Sequence, residues 1–146
     1  MSLNNKAREA YENSKSKGFR ELEDGILNKM LFNSEFTTEE YGEVVSAFRG
    51  RRMMLVVSEL GEALEADRKG NRAISPDYAC RIQGLADEQH NYLFKKYIKD
   101  TFEDELADTI IRIFDFAGGE NIDLENHVAG KMRYNSSREK MHGKKY

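Results

Sequence analysis

The 146-residue chain is long enough for one domain with a substantial core, and its formal net charge of −3 gives no electrostatic basis for binding nucleic acid. One proline, no tryptophan and 39% hydrophobic residues favour helices over a turn-rich sandwich, while the single cysteine, Cys80, excludes an intramolecular disulfide and reads as a reduced, buried thiol. No run is long and apolar enough to cross a membrane, and MSLNNKAREAYENSK lacks the apolar core of a signal peptide, so the expected location is the cytoplasm.

In chain order, residues 3 to 17 predict a polar, weakly amphipathic helix that ends near Gly18. An apolar patch follows at Ile26, Leu27, Met30, Leu31 and Phe32. Thr37 with Glu40 forms a capping-box pattern. It opens a long helix, or a pair broken at Gly50, that runs to Gly70. Ser75 and Pro76 read as an N-cap with proline at the first helical position, beginning a helix that extends to about Lys96. Asp100 with Glu103 offers a further capping box, Gly118 and Gly119 a helix stop, and Asp123 a cap for the last helix. No repeat or linker divides the chain. The expectation is one domain over 1–146, with residues 1–36 as an N-terminal extension and 139–146 as a basic tail.

Two carboxylate pairs carry the chemistry: Glu59 with Glu62 in SELGEALEADRKG, and Glu105 with Asp108 in FEDELADTIIRIFDFAGG. A spacing of three projects both members of a pair from one helix face. Four acids from two packed helices would enclose an oxygen-lined volume suited to Mg²⁺, with Mn²⁺ as a substitute. Spacing alone is weak evidence in a chain with 34% charged residues, so the neighbouring apolar positions matter more. At about 100° per residue, the first helix has its apolar centre at Val56, Leu60, Ala63 and Leu64, while Leu55 and Ala66 share the glutamates' stripe. In the second helix, Leu106, Ile110, Ile113 and Ala117 form one apolar side and Ala107, Ile111 and Phe114 another. Glu105, Asp108, Arg112 and Asp115 occupy the narrow gap, which predicts a mostly buried helix whose charges need partners or a metal. The competing reading is a salt-bridged bundle.

The ordered pairs, followed by ENIDLENHVAGKMRYNSSR, resemble the MazG-like branch of the all-α nucleoside triphosphate pyrophosphohydrolases. That signature is an ExxE helix, an ExxD helix and a later helix bearing lysine and asparagine, and the resemblance spans about residues 52 to 138. It implies an all-α, MazG-like helical bundle with a four-helix core, assembled as a homodimer or homotetramer. Glu59, Glu62, Glu105 and Asp108 would be the Mg²⁺ ligands, one glutamate serving as general base. The chain departs from the pattern at Ser58, where the family often has glutamate, and in the 42 residues (63 to 104) between the pairs, which form an extended helical insertion. Lys131 and Asn135 match the family's last-helix positions. With Arg138 they share one helix face and are the candidate phosphate contacts, against an ordinary polar face favoured by the helix dipole.

The implied reaction cleaves a (d)NTP between the α and β phosphates, giving a nucleoside monophosphate and pyrophosphate. The alternative is a non-catalytic helical bundle that binds a nucleotide or a protein partner. Arg112 reads as a structural neutraliser of Asp108 and Asp115, with phosphate contact as the other option. Asp87 and His90 make half of a di-iron motif, and no second ExxH copy is present, so His90, His127 and His142 read as ordinary surface or hydrogen-bonded histidines. Tyr92, Phe94 and Tyr97 read as core in preference to a base-stacking platform, and the RGRR run at 49 to 52 as a solvated helix start in preference to a phosphate contact. No Walker pattern occurs.

Overall fold

The computed structural model describes residues 2–73 and 84–138. Among these residues it contains six helices and no strand, so the chain is all-α: α1 Leu3–Ser16, α2 Glu21–Phe32, α3 Thr38–Arg68, α4 Asp87–Tyr97, α5 Phe102–Gly119 and α6 Leu124–Ser136. No described helix is long and apolar enough to cross a membrane. The Ser75–Pro76 cap, Cys80, His142 and the basic tail lie outside the described residues.

Local signals set most helix ends. Thr37 Oγ1 accepts from the Glu40 amide at 3.2 Å while Glu40 accepts from the Thr37 amide at 2.7 Å, so the capping box at the start of α3 is complete. This helix then runs unbroken through Gly50 for 31 residues. Gly18 and Gly70 adopt positive φ just beyond α1 and α3. After α3, the Asn71 amide donates to Ala66 O and the Gly70 amide to Asp67 O, the two bonds of a Schellman stop. The apolar patch at 26–32 is itself the helix α2. Within the span expected to be helical up to about Lys96, residues 84–86 form a turn, with Gly84 at positive φ, and a helix begins at Asp87.

Two ends differ from expectation. The cap of α5 is Thr101, whose Oγ1 accepts from the Asp104 amide, and Asp100 sits outside it at φ 63°. The same helix is stopped by Asn121, not by the glycine pair. Asn121 lies at φ 54°, the Ile122 amide donates to Ala117 O, and the Asn121 amide donates to Gly118 O. Gly118 and Gly119 serve packing instead. A Cβ on Gly118 would lie 2.8 Å from Tyr11 Cβ and closer still to the Ala7 carbonyl, and one on Gly119 would lie 2.9 Å from Arg20 Nη1.

The chain divides into two compact units, Met1–Arg20 with Phe114–Tyr146 and Glu21–Ile113. In the first, α1 packs against α6 and Asn4 donates to Asp123 at 2.7 Å. Buried Arg20 donates to the Asp115 carboxylate at 2.7 Å and lies over the Tyr11 ring. In the second, α2 packs against α3, and buried Glu23 is held by both Arg51 and Arg52. The basic run thus sits mid-helix as an ion-pair donor and not as a solvated helix start.

Candidate metal centre

All four sequence-predicted acids lie in the Glu21–Ile113 unit. The segment after α3 is what brings their helices together. Asn71 O accepts from the Phe102 amide at 3.0 Å, the Ala73 amide donates to Glu103 at 2.8 Å, and the Arg72 guanidinium stacks 4.0 Å from the Phe102 ring centre. These contacts dock the end of α3 against the start of α5 and so place Glu59 and Glu62 opposite Glu105.

One carboxylate oxygen from each of Glu59, Glu62 and Glu105 lies within 4.8 Å of the others. Glu59 and Glu105 are buried and Glu62 is exposed. Asp108 is half-buried, and its carboxylate is not one of these three. It still feels them: burial first, then the charges of Asp104, Glu59 and Glu62, push its pKa up, and nearby Arg112 pulls it down. Burial also pushes Glu105 up, reinforced by the charges of Glu62, Asp104, Asp108 and Glu59. Repulsive crowding of this kind is what a small oxygen-preferring cation relieves, and the donor set fits Mg²⁺ or Mn²⁺.

The helix faces depart in part from the sequence reading, which holds for Ala63 and Ala117 and fails for the larger aliphatics. On α3 the buried stripe is Glu59, Ala63 and Ala66, while Leu60 and Leu64 are exposed. On α5 the buried residues are Glu105, Thr109 and Ala117, and Ile110, Ile111 and Ile113 are exposed. Contrary to expectation, then, α5 is not mostly buried within one chain: Glu105 faces inward, Asp108 and Asp115 are half-buried, and Ile110, Ile111 and Ile113 are exposed.

Arg112 was expected to neutralise Asp108 and Asp115. Its charge does offset that of Asp108, but its Nε donates to Glu59 Oε1 at 2.9 Å, and Asp115 is paired with Arg20. Beside the acids lies a cavity of about 230 Å³ whose wall includes Glu62, Lys69, Asn71, Asp100 and Glu105. Lys69 and Asn71 escaped the sequence reading because they looked like the ordinary debris of a helix end. The Gly70 stop, which turns the chain back over the acidic stripe, was the available signal.

Lys131, Asn135 and Arg138 belong to the other unit and are all exposed; Lys131 and Arg138 flank the Tyr134 ring. His90 stacks on Phe94 and contacts Asn91, and His127 is exposed, so neither joins a cluster of metal-ligating groups among the described residues. Tyr92 is exposed, with Lys96 over its ring and that of Tyr97. A larger cavity, about 310 Å³, lies in the unit that contains α1, lined in part by Asn4, Arg8, Tyr11 and Asn121.

Comparison of the chain with known protein families, with characterised proteins and with solved structures finds no match in any of the three.

Proposed function

We propose that the chain is a MazG-like, divalent-metal-dependent nucleoside triphosphate pyrophosphohydrolase that cleaves a (d)NTP to NMP and pyrophosphate. The observation that carries this reading is the convergence of Glu59, Glu62 and Glu105, from two helices, to within 4.8 Å. It is supported by the order of acidic motifs that resembles the family. Glu59, Glu62 and Glu105 hold Mg²⁺, or Mn²⁺ in its place, and Asp108 completes the acidic set. The ion supplies Lewis acidity and charge neutralisation at the phosphates. One of the glutamates takes the proton from the attacking water. Lys131, Asn135 and Arg138 are assigned to phosphate oxygens on the strength of the sequence resemblance.

The fold belonging to this reading is a four-helix core interrupted by the insertion at 63 to 104. A second copy of the chain covers Leu60 and Leu64 of α3 and Ile110, Ile111 and Ile113 of α5, because large aliphatics left exposed in this number favour association. The proposed assembly is a homodimer or homotetramer in the cytoplasm.

The test is pyrophosphate release from a panel of canonical and damaged (d)NTPs, with Mg²⁺ and with chelator, the nucleotide product being identified. Chelator-sensitive formation of NMP and pyrophosphate is the expected result. Silence across the panel from folded protein would replace the enzyme with a binding module. Bound iron with visible absorption would replace it with a di-iron protein.

A further inference from the structure

The acid centre already holds a cation of its own. Arg112 follows Asp108 by one turn on α5, and its bond to Glu59 is its only side-chain hydrogen bond among the described residues. The Glu59 side chain is 12% exposed and that of Arg112 is 37% exposed, so the carboxylate is fixed while the guanidinium has a path to solvent. Arginine does not lose its proton in proteins, so it can vacate Glu59 only by moving. A divalent ion entering at Glu59 would repel this cation and compete with it for the same carboxylate.

Resting on the metal-centre reading above, we propose that Arg112 is the exchangeable counter-ion of this centre. It neutralises Glu59 while no divalent ion is bound, releases Glu59 when one enters, and then offers its planar guanidinium to a phosphate oxygen of the substrate. The released fork suits phosphate because its N–H donors are arranged for paired hydrogen bonds. A permanent structural clamp would behave differently. Removing it would leave Glu59 buried, unpaired and misplaced, and metal binding would weaken.

Mn²⁺ alone distinguishes the two roles, with no nucleotide present. Free Mn²⁺ is followed by electron paramagnetic resonance during titration of the full chain and of Arg112→Met, Arg112→Gln and Arg112→Lys. Glutamine is included because it keeps a hydrogen-bond donor toward Glu59 without the charge. Exchange predicts that the methionine and glutamine variants bind Mn²⁺ roughly five- to tenfold more tightly than the parent, as expected for removing a unit charge on the order of 7 Å from the ion in a near-aqueous dielectric. The lysine variant should stay close to the parent. Equal or weaker binding by both neutral variants, from folded protein, overturns the exchange while leaving the metal centre in place. No Mn²⁺ binding by any of the four proteins overturns the metal centre itself, and the exchange with it.

Discussion

Glu105→Gln should make the metal-free chain more stable and its response to metal disappear. Glu105 is 7% exposed, and a carboxylate oxygen of it lies within 4.8 Å of one on Glu59 and one on Glu62. Two like charges at that separation repel by about 3.5 kcal/mol at an effective dielectric of 20, before screening by solvent and neighbouring cations. Glu62 is exposed and screened, and the Glu59 charge is offset by Arg112, so the repulsion actually relieved is about 1–2 kcal/mol. Glutamine keeps the volume of the side chain, so no cavity term opposes the gain. For a chain of this length the melting temperature should rise by roughly 3–8 °C in EDTA. Saturating Mg²⁺ reverses the order: at a hundred times its dissociation constant the ion stabilises the parent by about 2.7 kcal/mol, and a variant that has lost a ligand receives little of this. Thermal unfolding of both proteins, with EDTA and with Mg²⁺, measures all four values. A variant that melts below the parent in EDTA, or that gains as much from Mg²⁺, would refute the reasoning.

Glu59→Gln and Asp108→Asn should each abolish Mg²⁺-dependent pyrophosphate release while the far-ultraviolet circular dichroism stays helical; turnover preserved in both removes the metal assignment. Gly118→Ala should cost about 1–3 kcal/mol in urea unfolding, because the new methyl meets the Ala7 carbonyl. Gly42→Ala, where a Cβ meets nothing within 4 Å, should instead stabilise α3 by about 0.5–1 kcal/mol. Hydrogen bonds from Asn4 and Asn126 hold the Asp123 carboxyl below its ordinary value. A depressed carboxylate contributes stability that is present above the unfolded value, about 4, and is lost as pH falls through the folded value. Acid unfolding of Asp123→Ala should therefore be less steep than that of the parent below pH about 4. Leu60→Asp with Ile111→Asp should shift the sedimenting species to a monomer; an unchanged assembly would exclude that face.

The features legible in the sequence were those decided within a few residues. Thr37 and Glu40 complete their box using each other, Gly70 supplies the positive φ that its own stop requires, and Asp123 caps the last helix through the Asn126 amide. Each involves partners so close in sequence that tertiary structure does not choose between them. The stop of α5 shows the limit of such reading. Two adjacent glycines looked like a terminator, yet Asn121 occupies the left-handed position, and the glycines are small because Ala7, Tyr11 and Arg20 approach them. Nothing near residue 118 announces a partner more than a hundred residues away.

The acid centre combines both situations. Each pair was legible as a local spacing, but which carboxylates would meet depended on Asn71, Arg72 and Ala73 docking onto the start of α5, through a backbone bond, a bond from the Ala73 amide to Glu103 and a guanidinium–ring contact between residues some thirty positions apart. The same contacts explain why the apolar faces were misjudged. Periodicity counts a leucine as buried without saying against what, and once Glu59 and Glu105 turn inward, geometry sends Leu60, Leu64 and Ile111 outward. Burying two carboxylates while exposing those aliphatics is unfavourable for an isolated chain on both counts. On the proposed function, a divalent ion would correct the first imbalance and a second copy the second. The two proposals are therefore coupled: if a second copy covering these aliphatics holds α3 and α5 in register, the variant with Leu60→Asp and Ile111→Asp should bind Mn²⁺ more weakly although every metal ligand is intact.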